Sequence, residues 1–180
     1  MGARSRQGGV VDRPAIVHLV GTPAVGKLTV AEALAAGTGP DDPGRLVVVD
    51  NHLSGDPVLR VTPRGEHGTV PARAWAHVAE IRAVVRRAIV ELSPAGWAFA
   101  FTNVLRDGDP LYEETVGELR ALASARGAPY VPVVLRCERA EQLRRVTTPG
   151  RRARHKWTDV EGVARYLDAH QLQAGLGSQA

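Results

Sequence analysis

The stretch that decides the fold is Gly-Thr-Pro-Ala-Val-Gly-Lys-Leu-Thr, at residues 21–29. It directly follows the apolar run Ala-Ile-Val-His-Leu-Val at residues 15–20. It directly precedes residues 30–36, which have helical spacing and helix-forming side chains. The sequence therefore predicts a strand, a loop bracketed by glycines with the pattern G-x-x-x-x-G-K, and a helix, in that order.

A loop of this pattern in this context is typical of phosphate binding. Its glycines let backbone N–H groups turn inward, the helix N-terminus adds partial positive charge, and Lys27 can reach the outer phosphates. The alternative is a tight strand-to-helix turn without a ligand, but a second glycine followed at once by lysine favours phosphate binding. We expect a nucleoside triphosphate to be bound by Gly21, Thr22, Ala24, Val25, Gly26, Lys27, Leu28 and Thr29.

The position after the lysine departs from the usual pattern. Ser or Thr normally stands there to hold Mg²⁺, whereas here Leu28 occupies the position and Thr29 follows one residue later. We therefore expect Mg²⁺ to arrive with the nucleotide, with Thr29 contacting the nucleotide-bound metal, and not in a dedicated protein cage.

Length and composition set the class of protein. A chain of 180 residues is sufficient for one domain, and we expect a mobile tail over residues 1–14, a single domain over 15–172 and a frayed end over 173–180. No apolar run approaches the ~20 residues of a membrane helix, and the N-terminus lacks the apolar core of a signal peptide. We expect a cytoplasmic protein without membrane partners.

The basic residues indicate an anionic ligand. The 23 basic and 19 acidic residues give a net charge of +4, which suits a polyanion without requiring nucleic acid. Only Lys27 and Lys156 are lysines, and the other 21 basic residues are arginines. Because Lys27 stands in the phosphate loop, where a compact point charge is useful, Lys156 is also a candidate for a role, unless the arginine bias merely reflects the coding sequence.

The remaining pattern predicts alternating strands and helices. After the irregular residues 51–71, with one short helix around 57–61, a long amphipathic helix is expected over 72–92. Further apolar runs predict strands over 45–50, 97–104 and 130–136, and later helices over 138–146 and from 158 to about 172. This alternation predicts an α/β fold with a mainly parallel sheet of about four strands flanked by helices. Pro132 places the last strand near an edge or a bulge.

In such a sheet, ligands lie beyond the carboxyl ends of the strands. Asp50 is the only acid that directly ends a predicted strand, so it is the candidate base for phosphoryl transfer to a hydroxyl. The alternative is that its carboxylate caps the following turn. Asn51 and His52 follow it and are candidates for contact with the acceptor. Strand three ends in the uncharged Thr102 and Asn103, so it supplies no acid for a metal.

A basic segment follows strand four. Thirteen residues contain Arg144, Arg145, Arg151, Arg152, Arg154 and Lys156. Such density is self-repelling unless solvent or an anion screens it. We expect a lid at about residues 147–157 that closes arginines over a triphosphate, the alternative being a solvated charged loop.

Three segments together resemble small bacterial P-loop kinases. They are the G-x-x-x-x-G-K-x-T (Walker A) loop, the polar turn Asp50-Asn51-His52-Leu53-Ser54, and the lid segment from Arg145 to Asp159. The family includes shikimate kinase, adenylate kinase, gluconate kinase and chloramphenicol phosphotransferase, and the resemblance covers about residues 16–166.

This resemblance implies a nucleoside-monophosphate-kinase-like P-loop NTPase fold and ATP- and Mg²⁺-dependent phosphorylation of a small molecule, an antibiotic or a metabolite, at a hydroxyl. It makes Asp50 the base, because an Asp after strand two has that role in shikimate kinase and chloramphenicol phosphotransferase. It also implies that Arg145 and Arg151 contact the nucleotide or the transferred phosphate, and that Arg82 or Arg86 holds the acceptor.

One departure leaves alternatives open. Relatives continue past the lid helix into a fifth strand and an adenine-binding loop, whereas here no apolar strand follows Arg165. We therefore expect an adenine site that is reduced, or completed by a partner or a second copy, which leaves the oligomeric state open, a dimer included. Alternative functions are a nucleotide-binding module without transfer activity and a nucleoside or nucleotide kinase. Nucleic-acid binding by the basic segment is disfavoured by the scarcity of aromatic residues.

Overall fold

A computed structural model of the protein describes residues 14–63, 70–105, 111–154 and 156–170. Its four described strands form one parallel sheet: β1 (Ile16–Val20), β2 (Leu46–Asp50), β3 (Ala98–Asn103) and β4 (Tyr130–Val134). The described helices are α1 (Lys27–Ala35), α2 (Asn51–Leu59), α3 (Ala72–Leu92), α4 (Leu111–Ala125), α5 (Arg139–Val146), α6 (Pro149–Ala153) and α7 (Val160–Ala169). The predicted α/β fold with a four-stranded parallel sheet is confirmed.

Helices cover both faces of the sheet. On one face, Val17, Leu19 and Ala100 pack with Ala31 of α1. On the other face, Ile16 and Phe99 belong to a cluster that α3 and α4 complete with Ile89, Leu119 and Leu122. Burial on both sides explains why the central strands are almost continuously apolar. None of the described helices is both long enough and apolar enough to cross a bilayer.

The strand order is β2-β3-β1-β4, so β4 lies at an edge and the prediction from Pro132 is confirmed. The register pairs Val20 with Asn103, and Asp50 with Thr102. The carboxyl ends of β1, β2 and β3 are therefore level with one another. The residues that follow them meet at one edge of the sheet, as expected for a ligand site in an open parallel sheet.

Helix α2 differs from the sequence prediction. A short helix was expected around residues 57–61 in an otherwise irregular stretch, but α2 begins at Asn51 and ends at Leu59. The Asn51 N–H donates a hydrogen bond to Thr102 Oγ1 at 3.2 Å, and Ser54 Oγ donates to the Asn51 carbonyl at 3.2 Å. The first of these bonds comes from β3, so local sequence could not indicate where α2 begins. Residues 64–69 of the same stretch lie outside the described residues.

The lid also differs in part. The segment expected as a loop contains the short helix α6, with Pro149 in its first turn, a position that proline favours. The last helix, expected from residue 158 to about 172, comprises Val160–Ala169. Most of the predicted tail over 1–14, all of the predicted end over 173–180 and residue 155 of the lid lie outside the described residues.

Candidate phosphate-binding and catalytic site

The loop between β1 and α1 has a backbone that demands glycine at two positions. A Cβ at Gly21 would lie 2.6 Å from Val25 Cγ1 and 3.1 Å from the Leu135 carbonyl oxygen. Gly26 precedes α1 with φ of 108°, a left-handed conformation that glycine adopts without steric cost. Ala24 also has a positive φ of 64°, which is uncommon for a residue with a side chain. Such backbone strain clusters at ligand-binding loops.

Lys27 folds back across this loop. Its Nζ donates to the carbonyls of Gly21 at 2.6 Å and Thr22 at 3.0 Å. The pKa of Lys27 is lowered from 10.5 to about 7, mainly by burial and also by the nearby charges of Lys156 and Arg151, while the charge of Asp50 acts to raise it. Several cations thus lie close to one carboxylate. An anionic ligand at this point would stabilise the protonated lysine.

Asp50 is oriented by the neighbouring strand. Thr102 Oγ1 donates to Asp50 Oδ1 at 2.6 Å and accepts the N–H of Asn51 at 3.2 Å. Asp50 Oδ2 lies 3.3 Å from Lys156 Nζ. Although Asp50 occupies the cap position of α2, its side chain makes no capping hydrogen bond. The alternative that Asp50 serves as a turn cap is therefore wrong, and its carboxylate faces the site.

Helix α5, which precedes the lid, packs against the loop between β1 and α1. Arg145 donates to Glu141 Oε1 at 2.6 Å through Nε and to the Val25 carbonyl at 3.4 Å through Nη1. Gln142, which is buried, donates from Nε2 to the Pro23 carbonyl at 3.0 Å and to Thr22 Oγ1. Helix α5 therefore holds the loop from outside.

Arg151 carries a donor that the described protein atoms leave unsatisfied. Its Nη2 donates to the Trp157 carbonyl at 2.7 Å, and its Nε is buried without a hydrogen-bond partner among the described residues. Burial lowers the pKa of Arg151. A buried guanidinium N–H without an acceptor is costly, and a phosphate oxygen would satisfy it.

Arg82 and Arg86 lie on α3, and each donates a hydrogen bond to a residue of another helix. Arg82 Nη2 donates to Asn51 Oδ1, and Arg86 Nη2 donates to Glu118 Oε1. Burial lowers the pKa of Arg82, which the charge of Glu118 opposes and that of Arg86 reinforces. With Asp50, these residues line a cavity of about 460 Å³ between the sheet and α3.

The structure separates His52 from that group. Its Nδ1 bonds to Asp56 Oδ1 at 2.9 Å, and its ring lines a different cleft, of about 680 Å³, between α1 and α2. Asp50 borders both spaces. His52, expected beside the acceptor with Asn51, is thus not among the residues that line the cavity with Arg82 and Arg86.

Thr29 lies on the first turn of α1 and is exposed. Its contact with nucleotide-bound Mg²⁺ stays a prediction. Within residues 14–63, 70–105, 111–154 and 156–170, no group of three or more His, Cys, Asp or Glu side chains is arranged to hold a metal ion.

A buried hydrogen-bond network centred on His18 orients the side chain at the end of β3. His18 is fully buried, and burial lowers its pKa to about 4, with its bond to Asn103 opposing. Its Nε2 lies 3.1 Å from Asn103 Oδ1 and its Nδ1 lies 2.8 Å from Tyr130 Oη. Because Oδ1 only accepts, this network assigns the proton to Nε2 and makes Tyr130 the donor to Nδ1. The Asn103 amide therefore turns Oδ1 toward His18, and Asn103 lines the cavity beside Asp50.

Solved structures resemble this chain, whereas two other kinds of comparison give no match. No protein-family model and no curated protein matches it. Among solved structures, APE1195 matches with 16% identity and a TM-score of 0.51, over 91% of this chain and 83% of that one. A provisionally assigned kinase from Chloroflexus aurantiacus J-10-fl matches with 18% identity and a TM-score of 0.53, over 86% of this chain and 76% of that one. This chain shares its fold with these two structures.

A third structure, a provisionally assigned fructose transport system kinase from Silicibacter sp. TM1040, has a TM-score of 0.43 at 18% identity, over 96% of this chain and 91% of that one. That score is too low to support an argument. The first two likenesses concern the fold alone and assign no chemistry to the side chains of this chain.

Three of the four candidate catalytic residues lie close together: Lys27 at the start of α1, Asp50 at the end of β2, and Arg151 from the lid segment. The fourth, Arg145, lies against the outside of the loop at Val25. Sequence reasoning left Thr102, Gln142, Asn103 and His18 without a role. The available signals were weak: Thr102 and Asn103 end a strand, and His18 is a polar residue within an apolar run.

Proposed function

We propose that this protein is an ATP-dependent phosphotransferase that transfers the γ-phosphoryl group to a hydroxyl of a small molecule. The observation that carries the proposal is the pairing of an oriented carboxylate, Asp50, with the cations Lys27, Lys156 and Arg151 beside a glycine-bracketed loop. Phosphoryl transfer needs this combination, because catalysis rests on positioning and on neutralising the charge of the transferred group. The kinase assignment of a protein with a similar fold agrees with it.

The residues present suit an oligophosphate. Arg151 Nε lacks an acceptor among the described residues, and Lys27 Nζ donates to the loop carbonyls of Gly21 and Thr22. The residues proposed to hold the nucleotide are the loop residues 21–29, with Arg151 and Lys156 closing from the lid. ATP with Mg²⁺ supplies the transferable phosphoryl group and, through the metal, neutralises part of its charge. Thr29 is the proposed contact for the nucleotide-bound metal.

Asp50 is the proposed base. Thr102 holds Oδ1, so Oδ2 is the oxygen able to accept the proton of the acceptor hydroxyl. In the reaction, the acceptor oxygen forms a bond to phosphorus, the bond to the leaving diphosphate breaks, and the hydroxyl proton passes to Asp50. Lys156 Nζ forms an ion pair with the same oxygen, Asp50 Oδ2. It would therefore lie beside both the base and the negative charge that develops on the transferred phosphoryl group. Asn51 and Arg82 border the same point and position the acceptor.

The proposal is tested by incubating the protein with ATP, Mg²⁺ and a panel of hydroxyl compounds. ADP is measured enzymatically, and the phosphorylated product is identified by ³¹P NMR. Release of ADP that one compound stimulates and Asp50→Asn abolishes supports the phosphotransferase. Failure to bind ATP, GTP or their diphosphates at millimolar concentration in calorimetry overturns it.

A nucleotide-binding module without transfer activity is the second candidate. Two observations favour it: β3 ends in the uncharged Thr102 and Asn103, and Lys156 already pairs with the proposed base. This module would bind ATP tightly and lose binding in Lys27→Ala, yet release no ADP with any acceptor. A nucleoside or nucleotide acceptor is a variant of the first candidate, and the same panel tests it.

A further inference from the structure

The cavity beside Asp50 extends well beyond the catalytic residues. Its volume is about 460 Å³, within the range of about 300–1,000 Å³ typical of small-molecule pockets. It runs between one face of β2 and β3 and the facing sides of α3 and α4. Strand β2 is an edge strand, and Val47 and Val49 are only partly buried there. The space therefore lies where helices cover the sheet incompletely.

The cavity has a group of polar side chains at one end, and most of its remaining wall is apolar. Asp50, Asn51, Arg82 and Asn103 line it at the carboxyl edge of the sheet. Towards the amino ends of the strands its walls are largely apolar, and they are formed by Val47, Val85, Ile89, Leu92, Trp97 and Phe99. Ser93 and the paired side chains of Arg86 and Glu118 also line the cavity.

The apolar part is long enough to hold a ring. Val47 pairs with Phe99 and stands three positions before Asp50 on β2. Val49 and Phe101 continue the apolar wall up to Asp50, so at about 3.3 Å per residue the wall extends to about 10 Å along the strand from the carboxylate. A molecule whose hydroxyl reaches Asp50 would therefore place the rest of its body against mostly apolar side chains.

We propose that the acceptor is an amphipathic alcohol, with its hydroxyl at Asp50 and an apolar, ring-sized body in the cavity. The inference rests on the proposed phosphotransferase function and names its substrate class. A polyol would bury several hydroxyls against Val47, Val85 and Ile89 without partners, which is unfavourable. An apolar body displaces water from those walls, which is favourable. Arg82 and Asn51 meet the polar end of the acceptor.

The test compares two probes of opposite character, 3-phenyl-1-propanol and ribitol. Binding of each to the nucleotide-free protein is measured by saturation-transfer difference NMR, and ADP formation is then measured with ATP and Mg²⁺. We expect saturable binding of 3-phenyl-1-propanol, weaker or undetectable binding of ribitol, and greater ADP release with the first probe.

Neighbouring valines on α3 supply a matched pair of variants. Val85 lines the cavity, whereas the adjacent Val84 is 54% exposed and does not. Val85→Phe should weaken 3-phenyl-1-propanol binding at least ten-fold, the scale at which a changed pocket wall discriminates ligands. Val84→Phe should leave binding unchanged, and both variants should bind ATP like the wild type. Ala88→Val, a smaller change in the same wall, replaces Val85→Phe if that variant does not fold.

Preference for ribitol in binding or turnover would overturn the inference. So would a Val85→Phe variant that is more heat-stable yet binds 3-phenyl-1-propanol like the wild type, because the space would then be an underfilled part of the core. A third outcome is that 3-phenyl-1-propanol binds, that Val85→Phe weakens this binding, and that no alcohol stimulates the formation of ADP from ATP. This outcome would support the apolar-ligand site and overturn the phosphotransferase function. The two failures are therefore distinguishable.

Discussion

Lys156 Nζ lies 3.3 Å from Asp50 Oδ2, and both side chains are largely buried, with exposed fractions of 15% and 14%. Asp50 ends β2, whereas Lys156 follows the lid helix α6. The contact therefore joins the lid to the carboxyl edge of the sheet. It places one of the two lysines in the chain against the proposed base and the other, Lys27, close enough for the two charges to interact.

Replacement of the proposed base should abolish most turnover while leaving the nucleotide site in place. Asp50→Asn keeps an acceptor for the Thr102 hydroxyl but cannot take a proton. We expect turnover with the best acceptor to fall about 10²–10⁴-fold, with the Kd for ATP changed little. Steady-state ADP assays and calorimetry measure the two quantities. Asp168→Asn, on the exposed face of α7, is the control, and wild-type turnover in Asp50→Asn would contradict the assignment.

Lys156→Met tests the lid contact itself. Loss of a cation beside the transferred group should lower turnover about 10²-fold, with a smaller effect on ATP affinity. Lys156→Arg should restore only part of it, because a planar guanidinium does not replace a compact ammonium group. Unchanged turnover in Lys156→Met would show that the pair with Asp50 is merely structural.

Arg151 and Arg152 are adjacent but differ in their surroundings. Arg151 is partly buried, with an Nε that has no hydrogen-bond partner in the described part of the chain, whereas Arg152 is exposed. We expect Arg151→Leu to weaken ATP binding or slow turnover at least ten-fold and Arg152→Leu to change neither. Equal effects of the two variants would indicate that only the overall charge of the lid matters, and salt titration of the Kd would then show the same slope for both.

The lowered pKa of Lys27 predicts proton uptake on nucleotide binding. With a pKa of about 7, the free lysine is mostly neutral at pH 8. Phosphate charge would raise this pKa, so binding at pH 8 should take up close to one proton, and ATP affinity should fall as pH rises above about 7. Calorimetry in two buffers of different ionisation enthalpy measures the uptake. A Kd independent of pH between 6.5 and 8.5 would contradict a neutral Lys27.

His18 should make stability depend on pH. Its folded pKa of about 4 lies below the ordinary 6.5, so between these values the unfolded chain binds more protons. The free energy of unfolding should therefore fall as pH drops from 6.5 to 4, by about 1–3 kcal/mol from this group. Urea unfolding at several pH values measures the slope. His18→Leu should lose this part of the slope, and His77→Gln, at an exposed site, should keep it.

Local sequence determined the parts of the protein whose signals are contained in a few neighbouring residues. The loop at 21–29 follows an apolar run and precedes a helix, so its conformation and its place at the edge of the sheet were predictable. The alternation of strands and helices predicted a parallel sheet, and Pro132 predicted the edge position of β4, because each depends on backbone hydrogen bonding and side-chain period. Asp50 was identified because it ends a strand.

Tertiary structure alone decided which side chains meet. The start of α2 depends on a hydrogen bond to the hydroxyl of Thr102 from β3, and the same hydroxyl orients Asp50. The orientation of the Asn103 side chain depends on its contact with His18. His52 follows Asn51 directly in sequence, yet the turn of α2 directs the two side chains into different spaces. The physical reason is that periodicity reports which face of an element is buried, whereas contacts between elements depend on strand register and on how helices pack across the sheet.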